Sequence, residues 1–153
     1  MTQEHIMKRR KTIAQIWLGI AVVALAVMVG LYIDETRRVQ ETYRQQFQTH
    51  LIQTSQNIDS YLNADGDFPL RYRRILSEMS GANSFAFIMT GLTEEQKIAV
   101  NELHTCLLKF PEQMQTRENL EAMQESILDM SENLDKGFEE ASELVASINK
   151  KGF

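Results

Sequence analysis

Three arginine side chains close together offer the clearest binding chemistry in the sequence. Arg71, Arg73 and Arg74 form a basic cluster in a chain whose net charge is −5. Guanidinium groups bind carboxylates and phosphates through paired hydrogen bonds. The arginine cluster therefore predicts contact with a small anion or with the carboxylates of a partner protein. The alternative is a solvated helix face, with Arg74 paired to Glu78 one turn later and the other two arginines facing an acidic helix.

Residues that could support catalysis are few and scattered. His5, His50 and His104 have no metal-binding spacing, and His104 lies about 200° around a helix from the single cysteine, Cys106. The chain has no GxSxG, HExxH, glycine-rich phosphate loop or dinucleotide fingerprint. We therefore predict a protein that is not an enzyme and has no cofactor. We expect Cys106 to be a core residue.

Alternating oxygen-bearing side chains after the first long helical pattern could indicate a calcium site. They are Asn63, Asp65 and Asp67. An EF-hand loop needs glycine at its sixth position and glutamate at its twelfth, where this chain has Phe68 and Arg74. A turn accounts for the same residues, with Gly66 ending one helix, Asp67 capping the next and Pro69 in its first turn. We predict this turn and no metal site.

The element that positions everything else is an apolar segment near the N terminus. Residues 13–33 contain no charged side chain, and about 21 residues is the length that a helix needs to cross a bilayer. We predict a single transmembrane helix that is retained as a signal anchor. The alternative is a cleavable signal peptide ending near Ala26, although signal peptides have shorter apolar cores.

Charges beside this segment predict its orientation. The basic residues 8–11 directly precede the segment, whereas Asp34 and Glu35 follow it before the next arginines. Because cations concentrate on the cytoplasmic side of membrane helices, we predict that residues 1–12 form a basic cytoplasmic tail. Residues 34–153 would then form an extracytoplasmic domain, as in a bacterial envelope protein.

Small residues within the predicted membrane helix could form a packing surface. Gly19, Ala26 and Gly30 recur on similar faces of the helix, and small residues let two membrane helices approach closely. This pattern predicts helix packing in the membrane, either in a homodimer or against another membrane protein.

The domain after the anchor has a helical composition. Leu, Met, Gln, Glu and Ala dominate, and glycine and proline are few. We predict an all-α fold, an antiparallel bundle of three to four helices. The predicted helices span about 34–62, 69–90, 94–109 and 112–149. Because the N-terminal 33 residues are basic, the domain is more acidic than the whole chain, and nucleic acid is excluded as a partner.

Two stretches leave the helix boundaries open. Gly81 could break the second helix, and residues 85–89 could instead be a short buried strand.

In the last helix, apolar residues keep heptad spacing from Leu120 to Ile148, as in a coiled coil. We predict that this seam packs on the chain's own helices, with Gly137 leaving space for a neighbouring helix.

These features predict a single-pass membrane protein whose helical bundle acts through protein–protein contacts in the cell envelope. Its layout resembles the extracytoplasmic helical domains of bacterial chemoreceptors and sensor kinases, although no motif is shared. The alternative function is a sensory module that binds a small ligand in a pocket between helices near Arg71, Arg73 and Arg74 and lacks its own output domain. Its partner would be another envelope or membrane protein.

Overall fold

The computed structural model describes residues 3–151, and the side chains of residues 7–148. Within this range the chain is helical and contains no strand, which confirms the all-α prediction. The helices are α1 (Gln3–Leu62), α2 (Phe68–Ile88), α3 (Glu94–Lys109), α4 (Pro111–Met114), α5 (Arg117–Glu132) and α6 (Phe138–Lys151). Residues 85–88 complete α2, and Gly81 lies inside it without breaking it.

The chain divides into two compact units, residues 1–39 and 40–153. In the first unit, α1 is long and apolar enough, by length and composition, to cross a membrane. Its apolar side chains between residues 13 and 33 are exposed, among them Trp17, Leu25 and Leu31. No other helix among the described residues has such a span.

The second unit has a core to which all six helices contribute. Within α1, Phe47, Leu51 and Ile58 are fully buried because their spacing returns to one helical face. Two glutamine side chains join this part of α1 to α5. Gln48 Nε2 donates to the Ser131 carbonyl at 2.8 Å, and Gln124 Nε2 donates to the Ser55 carbonyl at 3.2 Å.

The other helices contact one another around that core, although not in chain order. Helix α2 contacts α3, α3 contacts α6, and α6 contacts α5. Helix α3 begins at a capping box, in which Thr93 Oγ1 accepts from the Gln96 amide and the Gln96 side chain accepts from the Thr93 amide. The Gln96 side chain also donates to the Leu134 carbonyl at 2.9 Å, so the start of α3 is joined to the turn between α5 and α6.

The turn before α2 differs in detail from the prediction. Helix α1 ends at Leu62, as predicted, and Gly66 lies in the turn that follows. Asp67 has a left-handed backbone conformation (φ 58°) at the N-cap, and the predicted side-chain capping bond is absent. Its backbone carbonyl accepts instead from the amides of Leu70 and Arg71. Pro69 lies in the first turn of α2, as predicted.

The prediction of one helix over 112–149 is corrected to three helices, α4, α5 and α6. The chain reverses between Asn133 and Gly137, where φ is +83°. A Cβ at Gly137 would lie 2.2 Å from the Ser126 carbonyl oxygen, so the start of α6 lies directly against the backbone of α5. Gly137 therefore lies in a turn rather than within a helix. The backbone of α5 fills the space that its missing side chain leaves.

The heptad seam is buried by this reversal. Its α5 residues pack with its α6 residues, so one apolar stripe forms both sides of a helical hairpin. The fully buried members are Leu120, Met123, Ile127, Met130, Ala141 and Ile148. The seam is therefore occupied within the chain.

Replacing Gly137 with alanine should destabilise the second unit. The left-handed backbone conformation and the collision with Ser126 together should lower the free energy of unfolding by about 2–4 kcal/mol. Denaturant unfolding of the detergent-solubilised protein, followed by near-ultraviolet circular dichroism, measures this change. Gly66→Ala is the matched control, because a Cβ there meets nothing within 4 Å. Equal effects of the two substitutions would contradict the role given to Gly137.

Candidate functional site

Arg71 is engaged by the chain itself. Its Nε donates to the Gly66 carbonyl at 3.1 Å, and its Nη1 donates to the Ser60 carbonyl at 3.0 Å and to the Ser60 hydroxyl. Ser60 lies in the last turn of α1, where carbonyl groups lack helical partners. Arg71 therefore joins the end of α1 to the start of α2, and its Nε and Nη1 donors are used within the chain.

Arg73 and Arg74 are exposed side chains of α2. Arg73 Nε donates to the Pro69 carbonyl of its own helix at 3.3 Å. Among residues 7–148, neither side chain forms an ion pair with a carboxylate. The predicted arginine cluster is therefore divided, with one member used in folding and two members facing solvent.

The two exposed arginines belong to a continuous helix face. Its residues recur every three or four positions along α2, and all are exposed. This face, which we call the α2 outer surface, consists of Leu70, Arg73, Arg74, Ser77, Ser80 and Ser84. It contains two cations, three small hydroxyl-bearing side chains and no carboxylate, so it differs from the acidic composition of the rest of the domain.

Glu78 pairs with His50 rather than with Arg74. His50 Nδ1 lies 2.8 Å from Glu78 Oε2, and the imidazole ring stacks on Phe85 with ring centroids 5.6 Å apart. The ring also fills the space beside Gly81, where a Cβ would lie 2.7 Å from it. The sequence signal for this close approach of α1 and α2 is the glycine inside α2. These contacts are those of a packed polar pair between two helices.

Cys106 is a buried, free thiol, which confirms the prediction of a core residue. Burial raises the pKa of its thiol, so the group stays protonated and is a poor nucleophile. Nearby, the Tyr72 hydroxyl donates to the Leu107 carbonyl at 2.8 Å, and burial raises its pKa above the usual range. Burial lowers the pKa of His104. All three groups thus favour their neutral forms.

A cleft lies elsewhere, between the starts of α3 and α6 and the end of α5. Its volume is about 720 Å³, and five carboxylate residues and one lysine contribute to its lining. They are Glu95, Asp129, Asp135, Lys136, Glu139 and Glu140. None of the arginines contributes to it. Among the residues that the structure describes, no group of three histidine, cysteine, aspartate or glutamate side chains could hold a metal ion.

Gly19 and Gly30 are open on the surface of the apolar part of α1. A Cβ at either position meets nothing within 4 Å, and Ala26 is likewise exposed. Packing of a second membrane helix on these three residues stays a prediction.

The chain matches no protein-family model, no curated protein and no solved structure. Its function has to be inferred from its own residues and contacts.

Arg71→Ala and Arg73→Ala should differ in their effects on stability. Removing the Arg71 side chain leaves the Gly66 and Ser60 carbonyls without their donor and should lower the free energy of unfolding by about 1–3 kcal/mol. Arg73→Ala removes an exposed side chain and should change it by no more than about 0.5 kcal/mol. Urea unfolding of the detergent-solubilised protein measures both. If both substitutions cost the same, Arg71 does not join α1 to α2.

Proposed function

We propose that this is a single-pass membrane protein whose helical domain acts through protein–protein contacts in the cell envelope. The membrane anchor is residues 13–33 of α1. Support comes from the exposure of large apolar side chains such as Trp17, Leu25 and Leu31 on this helix. In water this surface would be unfavourable, whereas hydrocarbon accommodates an apolar helix whose backbone groups are bonded internally.

The domain that follows is an antiparallel helical bundle. Two contacts between α2 and α3 support this arrangement. Tyr72 near the start of α2 bonds Leu107 near the end of α3, and Asn83 further along α2 bonds Asn101 nearer the start of α3. Residue numbers thus rise along one helix as they fall along the other.

The orientation follows from the flanking charges. Lys8, Arg9, Arg10 and Lys11 favour a cytoplasmic N terminus. The domain is then extracytoplasmic, where its partner would be another envelope or membrane protein.

The contact surface for that partner is the α2 outer surface. The observation that carries this assignment is that Arg73 and Arg74 are exposed without a carboxylate partner among residues 7–148. The apolar seam of α5 and α6 is buried and offers no alternative surface. Exposed guanidinium groups favour a partner that presents carboxylates, since the pairing can be bidentate.

A photo-crosslinking amino acid in place of Ser77 tests this contact in intact host cells. We expect a small number of discrete covalent adducts with envelope or membrane proteins, which charge reversal by Arg73→Glu with Arg74→Glu abolishes. The same amino acid in place of Glu121, an exposed residue of α5, is the position control.

Two outcomes would contradict the proposal. One is a set of adducts that is the same at both positions, and the other is a set that survives charge reversal. A reporter that is active only outside the cytoplasm, fused after Phe153, serves as the orientation control. Its inactivity would overturn the extracytoplasmic placement.

The second candidate function is a small-ligand-binding sensory module. The observation that favours it is the cleft of about 720 Å³ between α3, α5 and α6. Because carboxylates dominate its lining, the ligand would be a cation rather than the anion that the arginine cluster predicts. Glu139 and Glu140, at the start of α6, both line this cleft.

Spermidine is a suitable probe of the cleft. If the cleft binds organic cations, spermidine should raise the melting temperature of the detergent-solubilised protein, because a ligand that binds only the folded state stabilises it. Glu139→Gln with Glu140→Gln should remove that rise. Sodium chloride at equal ionic strength is the control, and an equal rise with this salt would refute specific binding.

A further inference from the structure

We propose that Phe87 and Ile88, at the end of α2, lie in the surface of the lipid bilayer. Their side chains are 55% and 49% exposed, although they are large and apolar. The neighbouring Met89 and Leu92 are buried in the core, so the core fixes this turn while Phe87 and Ile88 remain uncovered. The inference rests on the proposed function, because it needs residues 13–33 to span the membrane.

Two hydrogen bonds between Thr90 and Gln40, which we call the tether, hold this turn close in the chain to the end of the proposed anchor. The Gln40 side-chain oxygen accepts from the Thr90 amide at 2.9 Å and from the Thr90 hydroxyl at 3.1 Å. Gln40 follows Ile33 by seven residues, which span at most about 25 Å even when fully extended. Whatever the arrangement of the two units, the turn after α2 is therefore held within that distance of the anchor's end, plus the length of one side chain.

The opposite end of the second unit is farther from the tether. Helix α1 runs from Gln40 to Leu62 in this unit, and at 1.5 Å per residue it covers about 33 Å. At the Leu62 end, Arg117 Nη2 donates to the Leu62 carbonyl at 3.1 Å, and the Tyr61 ring packs on Tyr72. The tether thus distinguishes the two ends of the unit.

Leu108 provides a matched comparison at that far end. Its side chain is 53% exposed, nearly the same as Phe87. It follows Leu107, whose carbonyl accepts from Tyr72. Leu108 and Phe87 are therefore about equally exposed apolar side chains, but only Phe87 lies beside the bonds between Gln40 and Thr90 that hold its turn close in the chain to the proposed anchor.

Lipid is a suitable occupant for this site. Aromatic and aliphatic side chains enter the boundary between headgroups and acyl chains to a depth of about 5–10 Å. The exposed carboxylates nearest in sequence, Glu94 and Glu95 at the start of α3, make an anionic lipid unfavourable. We therefore expect contact with zwitterionic lipid, which has no net charge to repel them.

Quenching of tryptophan fluorescence by brominated acyl chains tests the proposal on the full chain. Trp17 is the only tryptophan and lies within the proposed anchor. The wild type, Trp17→Phe with Phe87→Trp, and Trp17→Phe with Leu108→Trp are reconstituted into phosphatidylcholine vesicles with and without bromine. Both new positions are exposed, so the variants should fold normally, as circular dichroism will check.

We expect brominated lipid to quench Trp17 and the tryptophan at position 87, and to leave the tryptophan at position 108 unquenched. Quenching of Trp17 without quenching at position 87 would overturn the lipid contact and leave the anchor intact. Equal quenching at positions 87 and 108 would also overturn it. An unquenched Trp17 would overturn the transmembrane helix and the lipid contact together, so the two proposals fail distinguishably.

Discussion

The close approach of Gly137 to the backbone of α5 is the constraint on which the core of residues 40–153 depends. A side chain at this position would collide with the Ser126 carbonyl oxygen. Without one, the chain reverses with a left-handed φ and lays α6 along α5. The reversal buries both halves of the heptad seam and gives α3 a second helix to pack on. Every other helix of the unit then surrounds a core that this hairpin helps to close.

Local signals in the sequence predicted most of the helices. The capping box at Thr93 begins α3 at the expected residue, and both of its reciprocal bonds are present. Pro69 lies in the first turn of α2, as expected. These signals succeed because they act within one helical turn, where the residues that form a bond are also close in sequence.

The misplaced boundaries arise where a sequence pattern fits two structures. Heptad spacing is the same in one long helix as in a hairpin whose two helices bury the same stripe. Within the seam only Gly137 distinguishes the two structures, and its propensity cost alone fits either a spacing residue or a turn.

Contacts between distant parts of the chain were also missed. The three arginines are neighbours in sequence, yet the Arg71 side chain binds Ser60 through a contact between two helices. The pairing of His50 with Glu78 is equally non-local, so sequence spacing could not reveal it.

If residues 13–33 anchor the chain in a membrane, as proposed, the division between Val39 and Gln40 has a consequence for how the domain could be released. Among the described residues, the buried apolar side chains begin at Phe47. A single proteolytic cut between residues 34 and 39 would thus release a domain that keeps these side chains and the bond between Gln40 and Thr90. A cut only a few turns later, after Leu51, would remove two core side chains. In the proposed membrane-anchored protein, a cut in this short segment would therefore release the domain without removing any buried side chain.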